Sequence, residues 1–280
     1  MARGSLDAAS PLGHFATVRW LRLLVLFLAF AATSHAEPAP ILIASTADGA
    51  LLVFRADRPQ TIRPVHLRGI SGQLLGVDTR PADGHLYGLT TSNDLFRIDP
   101  TTGATTLVST LTVPFDGDTR SGISFNPQAD RLRLVSADGQ NLRVQVSLGA
   151  TAVDTPLAYA AADPNAGKRP RIAAAAYTNA VREAATTKLL EIDAEQDVLV
   201  VQDPPNDGVL ATVGPLGVDF SPLAGFAIVT DAGVDRAFAA TGGKLYTVDL
   251  RSGAATLVGP IGDSPAVVVS LAASTEANAP

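Results

Sequence analysis

Arg131, Arg133 and Arg143 sit in two short segments on either side of a turn at Ser136–Gln140, alternating with Leu132, Leu134 and Leu142. A guanidinium presents a planar fork of donors that fits a carboxylate two bonds at a time. Antiparallel pairing across the turn would set Arg133 near Arg143 on one face of a sheet. Two cations there need an answering anion, either Asp130 or Asp154 of the chain or the carboxylate of a ligand. Asn141 lies nearby, and Asn126 and the Tyr177-Thr178-Asn179 exit from an alanine-rich strand are candidates to face the central channel of a closed β-fold. The candidate ligand-binding set is therefore Asn126, Arg131, Arg133, Asn141, Arg143, Tyr177 and Asn179.

Metal and catalytic readings have less to stand on. Calcium takes six to eight oxygens, and Asp116-Gly117-Asp118, Asp163-Pro164-Asn165 and Asp203-Pro204-Pro205-Asn206-Asp207 are oxygen-rich. None has EF-hand spacing, and Asp or Asn before Gly or Pro is ordinary turn chemistry. Asp116, Asp118 and Asp219 remain as candidates for a calcium ion, and no other cofactor is expected. The chain has no cysteine, which removes thiolate metal sites, disulfides and cysteine nucleophiles. It has no G-x-S-x-G, no P-loop and no G-x-G-x-x-G between a strand and a helix. No catalytic residue is assigned.

Short strands must position these side chains, and internal repeats organise them. Leu95–Val108 (LFRIDPTTGATTLV) returns as Leu245–Val258 (LYTVDLRSGAATLV), with a weaker copy at Leu142–Val153. Two more short strands ending in turns precede each copy, so each unit is four strands with apolar residues at every second position. A fourth unit runs from Ile172 to Val213. A fifth is split, with three strands at Ile41–Thr46, Leu51–Arg55 and Ile62–Leu67 and the missing one at Val267–Leu271. Units of about 40–50 residues are the size of propeller blades. The expectation is an all-β chain with one five-bladed β-propeller of four-stranded blades, closed by pairing of its N- and C-terminal strands.

Ser121–Val144 (SGISFNPQADRLRLVSADGQNLRV), Tyr159–Ala180 (YAAADPNAGKRPRIAAAAYTNA) and Val201–Phe220 (VQDPPNDGVLATVGPLGVDF) resemble a bacterial secreted family known as domain of unknown function 4394. The similarity spans about Leu74 to Leu271. It implies an exported, propeller-like protein and brings no activity, substrate or catalytic residue.

Ahead of the repeats, Arg19 and Arg22 flank an apolar run at Leu21–Ala32 that ends in Thr33-Ser34-His35-Ala36. This reads as a secretory signal peptide over residues 1–36, cleaved after Ala36. Its run is too short for the ~20 residues of a spanning helix. Residues 1–17 read as an extension ahead of a start near Val18. Residues 37–280 then form the single propeller domain. Its address is the periplasm or the cell exterior, with no membrane span once the signal is removed. The net charge of −6 lacks the basic footprint that nucleic acid requires. The expected partner is a small molecule, a glycan or an envelope protein.

The leading function is a non-enzymatic ligand- or protein-binding scaffold. The alternatives are a metal-assisted hydrolase of the lactonase or esterase kind, with an ion in the channel, and a structural surface or matrix protein. The signal-peptide reading predicts that protein recovered from the envelope of an expressing bacterium begins at Glu37 by N-terminal sequencing. Recovery with Leu21–Ala32 still attached would refute it.

Overall fold

The computed structural model describes residues 39–263 and 266–274. The expected signal peptide, its cleavage point after Ala36 and the start near Val18 lie outside the described residues. Blade I begins with β1 (Ile41–Thr46), β2 (Ala50–Arg55) and β3 (Arg58–His66). Blade II holds β4 (Leu74–Thr79), β5 (Leu86–Thr90), β6 (Asp94–Ile98) and β7 (Thr105–Thr110). Blade III holds β8 (Ser121–Asn126), β9 (Arg131–Ser136), β10 (Asn141–Gln145) and β11 (Ala150–Val153). Blade IV holds β12 (Ala158–Tyr159), β13 (Ile172–Tyr177), β14 (Leu189–Asp193), β15 (Val198–Gln202) and β16 (Val209–Pro215). Blade V holds β17 (Ala224–Asp231), β18 (Val234–Thr241), β19 (Lys244–Val248) and β20 (Ala255–Pro260), and β21 (Val268–Ala273) returns to pair with β1.

These are the expected five blades, closed by the expected terminal strand. The seam pairs Ile43 with Ala272 and Ser45 with Ser270, and the two serine hydroxyls meet at 2.7 Å. Ser270 Oγ also accepts from the Val77 amide at 2.8 Å, so the seam is tied to blade II. Blade IV has one strand more than expected. The two residues of β12 run parallel to β16 and cover what would otherwise be an open sheet edge.

The inner strands β21, β4, β8, β13 and β17 pack side by side around the axis. There is little room between them. A Cβ on Gly225 would stand 2.6 Å from the Leu271 amide nitrogen, and one on Gly122 would stand 2.6 Å from the Ala175 Cβ. Blade IV meets the same demand with Ala173–Ala176, all buried. Farther out the blades diverge, and larger side chains fill the wedges. Strand alternation sends Leu132, Leu134, Leu142 and Val144 of blade III to a cluster shared with Leu75, Leu89 and Leu95 of blade II. The opposite phase of the same strands, with Arg133, Asn141 and Arg143, is turned toward blade IV.

The repeated Asp-x-x-x-Gly turn also has a cause. Asp99 Oδ1 accepts from the amides of Thr101 and Thr102, and Asp249 Oδ1 from those of Arg251 and Ser252. Gly103 then adopts φ +73, where a Cβ would lie 2.1 Å from the His66 carbonyl oxygen of blade I. The Gly103 carbonyl accepts from the Arg68 amide at 2.9 Å. The turn thus stitches one blade's outer hairpin to the end of the blade before it.

Two glycine substitutions separate axis packing from general sensitivity. Gly225→Ala should cost about 1–3 kcal/mol or more through overpacking, at roughly 2–4 °C of melting temperature per kcal/mol for a domain of this size. Gly259→Ala should leave the melting temperature nearly unchanged, because its Cβ would meet only the Pro59 Cγ at 3.6 Å. Thermal melts by circular dichroism check both, and equal effects would refute the axis argument.

Candidate functional site

Four interfaces between neighbouring blades are filled with apolar side chains from both sides. The interface between blades III and IV is different. Its apolar cluster draws on Val135 from the strands of blade III, while blade IV supplies Tyr159, Ile172, Ala175, Tyr177 and Leu189 among others. The rest of blade III's contribution is polar. Arg133 and Arg143 are direct cross-strand partners on β9 and β10. Asp154, just past β11, receives Arg133 Nη1 at 2.7 Å and Arg143 Nε at 2.6 Å. Arg133 also donates to Asn141 Oδ1 at 2.6 Å and to Asn206 Oδ1 of blade IV at 2.8 Å. Asn141 Nδ2 reaches the carbonyls of Thr155 and Pro205.

Several groups in this interface have no protein partner. Arg133 Nε, both carboxyl oxygens of Glu191 and Gln202 Oε1 are buried without a hydrogen bond, on residues at most 2% exposed, and the equally buried Tyr177 hydroxyl interacts with Arg133 and Asn126. Burial pushes the Glu191 carboxyl up to about 8; the Arg133 charge opposes this and the Asp193 charge adds to it. Glu191 is therefore an un-ionised acid at neutral pH. Burial also pushes the Tyr177 hydroxyl up, against the nearby Arg133 charge. A cavity of about 220 Å³ opens here, lined by Asn126, Arg131, Arg133, Arg143, Tyr177 and Asn206 among others.

A larger concavity of about 600 Å³ lies where the inner strands end, at the mouth of the channel. All five blades line it, through Arg55, Asp78, Ser124, Tyr177 and Asp231 and through the apolar Phe125, Ile228 and Val229. Tyr177 lines both hollows. Asp78 accepts from the amides of Phe125 at 2.7 Å and Thr79 at 2.8 Å. Burial nevertheless raises its carboxyl to about 7, because those hydrogen bonds only partly oppose it.

Of the seven candidate residues, Asn126, Arg131, Arg133, Arg143 and Tyr177 line the small cavity together, and Asn141 braces Arg133 from beside it. Asn179 stands apart. Its backbone is left-handed at φ 51 and its amide donates to Asp235 of blade V. Asp154 answers the arginines, whereas Asp130 pairs with Arg80 of blade II. Asp116 and Asp118 lie in the exposed loop before β8, where Asp118 bridges Arg120, and Asp219 lies in the loop before β17. Among the described residues no three His, Asp or Glu side chains gather in a way that could hold a metal ion. Glu191, Gln202 and Asp78 were not anticipated. An acid between Leu190 and Ile192 at the centre of the strand LLEID was the available signal for Glu191.

His66 and His85 are exposed, and neither lines the channel mouth. Among the described residues no helix is long and apolar enough to cross a membrane. Five antiparallel blades around one axis place the chain in the class of five-bladed β-propellers. It belongs to the family described as Domain of unknown function (DUF4394), which matches residues 50–272. No curated protein matches the chain in sequence.

Solved structures similar to it include a structural genomics protein of unknown function from Bacteroides thetaiotaomicron, at 14% identity and TM-score 0.49, covering 84% of this chain and 62% of that one. Two others are described as auxiliary nutrient binding proteins. The one from Bacteroides thetaiotaomicron has 18% identity and TM-score 0.41, covering 70% of this chain and 55% of that one. The one from Bacteroides ovatus has 12% identity and TM-score 0.43, with the same coverage of 70% and 55%. The chain spans less than two thirds of the length of each.

The two buried acids set a pH dependence. Folding raises Asp78 from 3.8 to about 7 and Glu191 from 4.5 to about 8. At these two sites the folded chain binds more protons than the unfolded one, so their contribution to stability falls as pH rises from about 4 to about 8. Each proton contributes a slope of at most about 1.4 kcal/mol per pH unit. Melting temperatures should fall more steeply across that range in the wild type than in an Asp78→Asn, Glu191→Gln double variant. Equal slopes would refute the assignment.

Proposed function

We propose that this protein is an exported, non-enzymatic binding propeller whose ligand sits in the channel mouth. One observation carries the reading: the concavity of about 600 Å³ is lined from all five blades. That volume is in the range of small-molecule sites, and its mix of apolar wall and a few converging polar groups is their usual chemistry. Asp78, Asp231 and Arg236 supply donors and acceptors around Phe125, Ile228 and Val229. The reading has no use for covalent chemistry. The exposed histidines stand away from the mouth, and Ser124, which lines it, lies beside Asp78 rather than beside an imidazole base. Export follows from the signal peptide read in residues 1–36. A propeller outside the cytoplasm can capture a nutrient or an envelope component by shape and hydrogen bonding alone.

The test is a thermal-shift panel of amino acids, mono- and disaccharides and short peptides on the full chain. A ligand present at 100-fold its dissociation constant adds about 2.7 kcal/mol, or roughly 5–10 °C at this size. One class should produce that rise, and Val229→Trp, which fills the mouth, should abolish it while leaving the circular dichroism spectrum intact. No shift with any class, or a shift that survives Val229→Trp, would overturn the reading.

A further inference from the structure

The cleft between blades III and IV differs from the channel mouth in charge and in what it leaves unpaired. Three guanidiniums, those of Arg131, Arg133 and Arg143, line a cavity of about 220 Å³. One carboxylate, Asp154, answers two of them. Arg131 donates Nη1 to the backbone carbonyls of Ala129 and Asp130, and the Asp130 carboxylate is taken by Arg80. Burial raises the carboxyl of Glu191, which feels the Arg133 charge, to about 8. Asp193, whose charge acts on Glu191, accepts the Tyr159 hydroxyl at 2.6 Å and three backbone amides. The cleft is thus a pocket of excess positive charge in a chain of net charge −6.

Its unpartnered groups point to the ligand class. Arg133 Nε is a donor without an acceptor, on a side chain about 2% exposed, and the Tyr177 hydroxyl interacts with Arg133 and Asn126 beside it. A guanidinium donor left unmade beside a cavity favours an acceptor there. From these groups we propose that the III–IV cleft binds a small carboxylate anion, held by the rim guanidiniums of Arg131 and Arg143 with Arg133 and Tyr177 behind them. A planar carboxylate matches the guanidinium fork. The cavity has room for about seven waters at about 30 Å³ each, enough for a uronate or a hydroxy acid. That ligand comes either as a free acid or as the acidic end of a glycan. The site adjoins the channel mouth at Tyr177, which lines both hollows, while Arg131, Arg133 and Arg143 line the cleft alone.

Isothermal titration calorimetry of the full chain with D-glucuronate, glycolate and a uronate-terminated oligosaccharide tests this, with glucose, sulfate and phosphate as comparisons. The carboxylates should bind and glucose should not. Binding of the free acid but not the oligosaccharide assigns the source as a free acid, and the reverse assigns a glycan end. Tyr177→Phe deletes one oxygen from the cleft wall, and Arg131→Gln changes a rim residue whose guanidinium meets only backbone carbonyls. Both should keep the wild-type melting temperature and weaken binding at least about tenfold. Val229→Trp, which blocks the channel mouth, should leave carboxylate binding unchanged and so separates this proposal from the preceding one. Three results would overturn it: no carboxylate binding at about 10 mM, well above a dissociation constant of about 1 mM; equal binding of sulfate or phosphate; or undiminished binding in both cleft variants.

Discussion

Five inner strands meeting around one axis is the constraint from which the remaining features of this propeller follow. Backbones that approach as closely as Gly225 and Leu271 leave no volume for a side chain between them. The ring is therefore made of Gly, Ala and Ser at its closest points, Ala173–Ala176 in blade IV and Ser270 at the seam among them. Because the blades spread outward from that ring, the space between them widens. Leu, Val and Phe fill it in one cluster per interface. At the rim, the Asp-capped turn and its left-handed glycine bind each outer hairpin to its neighbour. Closure by β21 onto β1 then removes the open inner edge of blade I.

Against that background the III–IV interface is costly. A buried ion pair is a poor source of stability, since desolvating the charges offsets most of their attraction. Arg133 and Asp154 are both almost wholly buried, and the same interface keeps un-ionised Glu191 and other polar atoms without protein partners. Leucines, used at the corresponding faces of the other blades, would pack there without that cost. Departures from local consistency of this kind are where functional demands on a sequence are expected to lie. The polar interface and the channel mouth meet at Tyr177, which lines both.

Much of the fold was legible in the chain because it is periodic. The LFRIDPTTGATTLV repeat marks a strand, a turn and a strand, and two-residue alternation in Leu132, Leu134, Leu142 and Val144 assigns a face to each side chain. The same alternation places Arg133 opposite Arg143, as β9 and β10 pair them. What was not legible was whose face those arginines meet. β12 escaped notice because two residues carry no periodicity, and Glu191 and Gln202 because a strand pattern does not say which neighbour a blade packs on.

The amino-acid order by itself therefore determined the blades, their number and the closing strand, since these rest on local alternation and on turn residues that act within a few positions. Tertiary structure alone decided that Asp154 rather than Asp130 neutralises the arginine pair, that Asn179 is drawn off to Asp235, and that Tyr177 and Glu191 share one buried interface with Arg133. Those contacts join residues about 10 to 60 positions apart, most of them in different blades, and burial, which no local pattern encodes, raises the Glu191 carboxyl and leaves its hydrogen bonds unmet.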